Sequence, residues 1–237
     1  MKIRPVDYRE LGRRRVDETG KAYAGSQRQL QKYVNELPDR LSTSMLEALH
    51  LSLSPTSVDW VSPIYRDNCV EYKDADFLSA LGLDLLKSHL NSFWPSGGPR
   101  WDGLARFKTG GTPHYVLVEA KSHVPEMYSS GCCAASPRSL DKIVSAMYQT
   151  KCWLGVHEDA DWLGPLYQNA NRLAHLFLLR QVLGLQAWLV NIYFIGDPHS
   201  PTTLDEWSVG LSRAKAALGI SNIEVPGSVQ LFLPALD

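Results

Sequence analysis

A chain of 237 residues with 44% hydrophobic and 21% charged side chains carries enough apolar material for a sizeable core. That composition excludes a disordered or collagen-like chain and sets an expectation of one globular body. Its 24 basic and 25 acidic residues nearly cancel, so no global basic field marks a nucleic-acid binder and any such contact must come from a local patch.

No apolar run approaches the ~20 residues of a membrane helix, and Met1-Lys2-Ile3-Arg4-Pro5 opens a charged segment without a signal-peptide core. A cytoplasmic protein with no membrane partner is expected. The cysteines Cys69, Cys132, Cys133 and Cys152 lack C-x-x-C spacing and read as thiols of a reducing compartment. With His157, the last three of them match no zinc ribbon or finger pattern.

In chain order, residues 1–25 are polar, contain Arg13-Arg14-Arg15, and show no sustained apolar period. Ser26 is placed to cap a helix carrying Leu30, Tyr33, Val34 and Leu37, and Pro38 suits the start of a second helix running to about Leu51. The Pro- and Ser-rich stretch 52–65 reads as a connector. Residues 1–65 are therefore expected to form an arm and helical appendage, and 66–237 the main domain. A helix beginning at Asp74 or Asp76 should carry an apolar stripe through Leu78, Leu81, Leu85, Leu90 and Phe93, ending at the Trp94–Pro99 turn. Segments 100–108 and 114–122 flank Gly110-Gly111 and predict a β-hairpin. Helices are expected from Ser139 and over 165–183, and a strand buried on both faces over 186–195. A helix over 204–218 and a strand over 229–233 close an α/β fold with a central mixed sheet flanked by helices.

The informative constellation lies in the hairpin. Side chains two apart on a strand share a face, so Glu119 and Lys121 point one way while Val118 and Ala120 point the other. A two-residue Gly110-Gly111 loop pairs Thr109 with Thr112, and the same ladder then sets Asp102 opposite Glu119. Two facing carboxylates repel. A divalent cation relieves the repulsion, and two carboxylates plus waters suit Mg²⁺. Lys121, on the same face, could hold an attacking water and offset charge on a phosphoryl oxygen.

Asp102 followed by Glu119-Ala120-Lys121 at the end of a hydrophobic strand, framed by helix, hairpin, helix and strand over about 74–195, resembles the core of the PD-(D/E)XK nuclease superfamily. Trp101 stands where that pattern often has proline. The resemblance implies a restriction-endonuclease-like fold and an endonuclease-like activity dependent on Mg²⁺ or Mn²⁺. It implies metal ligation by Asp102, Glu119 and the Ala120 carbonyl, with Lys121 assisting hydrolysis. Glu71 is the candidate for an added metal-binding acid from the region of the first helix, and Glu126 for a further ligand.

On the 165–183 helix, Gln168, Arg172 and His175 form a polar stripe. Gln168 is expected to line the catalytic site, at the place of the glutamine that some superfamily members carry, and Arg172 to contact nucleic acid. Arg13, Arg14 and Arg15 would neutralise phosphates. The expected partner is nucleic acid, DNA first, and a cut through both strands would favour a homodimer. Two other readings stay open: a non-catalytic binding or assembly module on the same fold, and a hydrolase of small phosphate esters.

Overall fold

The computed structural model describes residues 16–51 and 57–237. Five strands form one mixed sheet in sequential order: β1 (Asp59–Ser62), β2 (Gly103–Thr109), β3 (Thr112–Lys121), β4 (Gln186–Ile195) and β5 (Ser228–Pro234). The first three run antiparallel, and β4 and β5 run parallel to β3. The switch in direction follows from the connections. A two-residue turn joins β2 to β3, whereas β3 reaches β4 only through α5 (Pro137–Leu154) and α6 (Tyr167–Phe177). The hairpin turn needs left-handed backbone at both central positions, and Gly110 (φ 57°) and Gly111 (φ 85°) supply it. With that turn fixed, the ladder runs from Thr109↔Thr112 to Gly103↔Val118 as the sequence predicts.

Each face of the sheet is covered by helices. On one, α1 (Gly25–Glu36) and α2 (Pro38–Ala48) bury Leu30, Tyr33, Val34, Leu41 and Met45 against Val116, Val118 and Ala120 of β3 and Val190, Ile192 and Phe194 of β4. These two helices, expected as an appendage, are a structural layer. Their apolar stripes meet the even-numbered face of β3, which would otherwise stand in water. The expected connector also hides β1, which pairs with β2 through Asp59↔Arg106 and Trp60↔Ala105. Four residues are too few for a periodicity to register.

The other face carries α3 (Asp74–Ala80), α4 (Lys87–Phe93), α5, α6 and α7 (Leu204–Ala217) over a larger apolar cluster that includes Phe77, Trp101, Leu117, Leu173 and Trp207. The single helix expected from Asp74 to Phe93 is broken. Gly82 takes φ +77°, a turn at Asp84–Leu86 follows, and Leu85 is 92% exposed instead of joining the stripe. Strand β4 is buried on both faces, in keeping with its unbroken apolar run. No helix among the described residues is long and apolar enough to cross a membrane.

Candidate active site

Beyond Gly103 the ladder between β2 and β3 stops, and Asp102 turns back onto the end of β3. Its Oδ2 accepts a hydrogen bond of 2.8 Å from the Ala120 amide. In this register the N–H and C=O of Ala120 point towards the β2 side, where pairing has ended. Glu119 and Lys121 lie on the opposite face to Val118 and Ala120, as the alternation requires, and Lys121 Nζ sits 2.6 Å from Glu119 Oε1.

A short antiparallel bridge brings in the third acid. Lys73 pairs with Arg100, and the Trp101 amide donates to the Tyr72 carbonyl at 2.9 Å. One more step of that register sets Glu71 opposite Asp102. Glu71 accepts from Gln27 Nε2 at 2.8 Å through Oε1, and its Oε2 lies 3.9 Å from Arg100. Helix α1 therefore contributes a residue to the edge of the cluster.

Arg172 has a different place from the nucleic-acid contact expected of it. It is 7% exposed, and Nε donates to Glu119 Oε2 at 2.7 Å. Its Nη1 donates to Asn171 Oδ1 at 2.7 Å and its Nη2 to the Arg100 carbonyl at 2.9 Å, while the guanidinium stacks over Trp101. The polar stripe on α6 thus points into the protein at Arg172, where the charge is matched by Glu119. His175, one turn on, is buried against Trp94, Trp101 and Phe77, and burial pushes its pKa down to about 4. It is a neutral packing group that hydrogen-bonds to the Asn171 carbonyl.

The electrostatics assign distinct states to the three central groups. Burial, with Glu119 close by, raises the Asp102 carboxyl to about 7. Asp102 as a residue keeps some exposure, but its carboxyl group is enclosed by the cluster. Burial also pushes Glu119 upward, yet the Arg172 and Lys121 charges outweigh it and hold Glu119 below its ordinary value. Burial alone would lower Lys121, but Glu119 and Asp102 reverse the direction, so Lys121 remains an ammonium and not a base. Glu71 is raised by burial, against the pull of Arg100 and the Gln27 hydrogen bond.

The remaining expectations fall around this centre. Gln168 is half-buried one turn before Arg172 and takes no part in the hydrogen bonds that tie the cluster together. Glu126 braces the loop after Lys121, accepting from the Ser122 amide at 2.8 Å and standing 3.1 Å from His123 Nδ1. Cys69, Cys132, Cys133 and Cys152 are free thiols. Arg13, Arg14 and Arg15 lie outside the described residues. Sequence reasoning missed Arg100 and Gln27, and also the buried bond from Ser122 Oγ to Asp197 Oδ2 at 3.0 Å. Each belongs to a contact between segments far apart in the chain, for which no local pattern exists.

Comparison with protein-family models, with curated proteins and with solved structures finds no match to this chain. The residues themselves are thus the only guide to a cation. No group of three or more His, Cys, Asp or Glu among the described residues is arranged to hold a metal ion. The cluster holds two carboxylates, Asp102 with one oxygen outside its bond to Ala120 and Glu119 with both oxygens paired to Lys121 and Arg172, with the Ala120 main chain beside them. Such a set suits Mg²⁺, which keeps several waters and takes one or two protein carboxylates. Asp102 uses only Oδ2 in its bond to Ala120, and burial first, with Glu119 second, raises its carboxyl to about 7.

Proposed function

We propose that the protein is a Mg²⁺- or Mn²⁺-dependent phosphodiesterase acting on nucleic acid, DNA first, with a restriction-endonuclease-like core of the PD-(D/E)XK type. The observation that carries this reading is the Asp102 carboxyl, anchored on the Ala120 amide beside Glu119 and raised to about 7. A carboxylate pair at the end of two adjacent strands, with an ammonium on the same face, is a donor set suited to metal-assisted phosphoryl hydrolysis.

In this reading Asp102, Glu119 and the Ala120 carbonyl hold the cation, which would supply Lewis acidity and an activated water. Lys121, kept charged by its two acidic neighbours, orients the water and offsets negative charge on the phosphoryl oxygens. Arg172 fixes the Glu119 carboxylate and keeps it ionised. Glu71, opposite Asp102 in the extended register of the Lys73↔Arg100 bridge, adds negative potential. Because a proton and a cation compete for Asp102, cation affinity rises as pH passes upward through about 7.

One observation favours a second reading. Both Glu119 oxygens are already paired, to Lys121 and to Arg172, which is also how a non-catalytic polar cluster would be satisfied. A cleavage assay separates the two, using plasmid, linear duplex, single-stranded DNA and RNA with Mg²⁺ or Mn²⁺. The nuclease reading expects metal-dependent cleavage that falls at least 100-fold in Lys121→Ala and Asp102→Asn while both variants stay folded. Absence of cleavage together with absence of cation binding would leave the non-catalytic module as the account.

A further inference from the structure

A cavity of about 260 Å³ lies on the same side of the sheet as the acid cluster, between α7 and strands β4 and β5. It falls just below the roughly 300–1,000 Å³ of drug-sized ligand pockets, so it suits a smaller ligand. Its floor is polar. Asn191 and Tyr193 stand on β4 in register with Glu119 and Lys121, and Gln230 of β5 stands in register with Asn191. Leu189 adds an apolar patch to that floor, and the walls are apolar, with Leu173 of α6 and Leu211 and Leu218 at α7 among them.

The hydrogen bonds define what the floor still offers. Asn191 Nδ2 donates to Ser228 Oγ at 3.2 Å and to the Val229 carbonyl at 3.4 Å, which leaves its Oδ1 as an acceptor. Gln230 hydrogen-bonds the buried Tyr193 phenol and accepts from Lys215 Nζ at 3.4 Å. Lys215 therefore reaches over the cavity as a cation on a weak, neutral partner. Glu224, an exposed carboxylate, lines the same cavity.

We infer that this cavity binds a nucleobase, presented by a nucleoside or nucleotide. A flat heterocycle is the ligand whose faces fit between aliphatic walls while its edge demands both donors and acceptors in one plane. Amide and ammonium side chains are the groups that read such edges. Lys215 meets a ring carbonyl or ring nitrogen, and Asn191 Oδ1 or Glu224 accepts from an exocyclic amine or ring N–H. The inference stands on the cavity alone and holds whether or not the acid cluster hydrolyses phosphodiesters.

Titration of the full chain with the four common nucleosides, their 5′-monophosphates and a short single-stranded oligonucleotide, in EDTA, tests it by calorimetry and by fluorescence. Trp207, packed on Tyr193 at 4.8 Å between ring centroids, is placed to report occupancy. Saturable binding of at least one nucleoside is expected. It should weaken at least 10-fold in Lys215→Ala and in Ala214→Met, where the longer side chain fills the cavity. Because filling a cavity need not unfold the chain, a preserved melting transition in Ala214→Met shows that the pocket and not the fold was lost. Binding of the oligonucleotide with the same losses would identify a base within a strand as the source. Absence of binding by every nucleoside and monophosphate at millimolar concentration would overturn the inference. So would binding that both variants leave unchanged.

Discussion

Asp102 and His175 place opposite pH dependences in one fold. Between about pH 4 and 7 the native chain keeps a proton on Asp102 that the unfolded chain has released. Stability contributed there falls as pH rises, by at most about 1.4 kcal/mol per pH unit. His175 works the other way. Its folded pKa of about 4 lies below the unfolded value, so between about pH 4 and 6.5 the unfolded chain binds the extra proton and stability rises with pH. Asp102→Asn removes the first slope and keeps an oxygen for the Ala120 amide. The variant is expected to gain stability relative to the wild type as pH goes from 5 to 7.5, measured by urea unfolding. Curves that run parallel over that range would show that the Asp102 carboxyl carries no raised pKa. If Asp102 binds a cation as proposed, added Mg²⁺ at pH 8 should stabilise the wild type and not Asp102→Asn. Arg172 teaches a related lesson. Its spacing on α6 was legible, but whether an arginine at that position faces water or a buried carboxylate depends on Glu119, 53 residues away.

At the scale of elements, α1 is the least expected contributor. Leu30, 1% exposed, packs over the start of β2, where an added Cβ on Gly103 would come within 3.3 Å of its side chain. The same helix sends Gln27 to Glu71. Leu30→Ala should therefore cost about 2–5 kcal/mol of stability, read as a lower urea midpoint with unchanged slope. A loss below about 1 kcal/mol would mean that α1 is not packed on the sheet as described. The hairpin is the converse case. Gly110-Gly111 fixed its turn and the alternation of β3 fixed its faces, so the meeting of Asp102 with the end of β3 was legible from local spacing. The break at Gly82 was not, because an apolar stripe from Leu78 to Phe93 satisfies a helical period whether or not one glycine interrupts it.

For the whole molecule, the two apolar clusters share a single sheet, and neither face can be left uncovered without exposing β3 and β4. The chain is expected to unfold in one transition seen alike by far-ultraviolet circular dichroism and tryptophan fluorescence. A fragment of residues 66–237 lacks α1, α2 and β1, and exposes Val116, Val118, Val190 and Ile192 on the open face. It should show no cooperative transition and should aggregate. A fragment that melted cooperatively would restore the view of residues 1–65 as an appendage.

The order of helices and strands, the register of the hairpin, the shared face of Glu119 and Lys121 and the doubly buried β4 are local properties. Turn residues, alternation and apolar runs act over a few positions, so from the hairpin onward the sequence by itself determined them, whereas β1 and the break between α3 and α4 escaped it. The covering of the sheet by α1 and α2, the approach of Glu71 through the Lys73↔Arg100 bridge and the burial of Arg172 on Glu119 were decided only by the tertiary structure. Each is a contact between distant segments, and its energy depends on which surface the partner presents after the chain has collapsed. No spacing along the sequence encodes that choice.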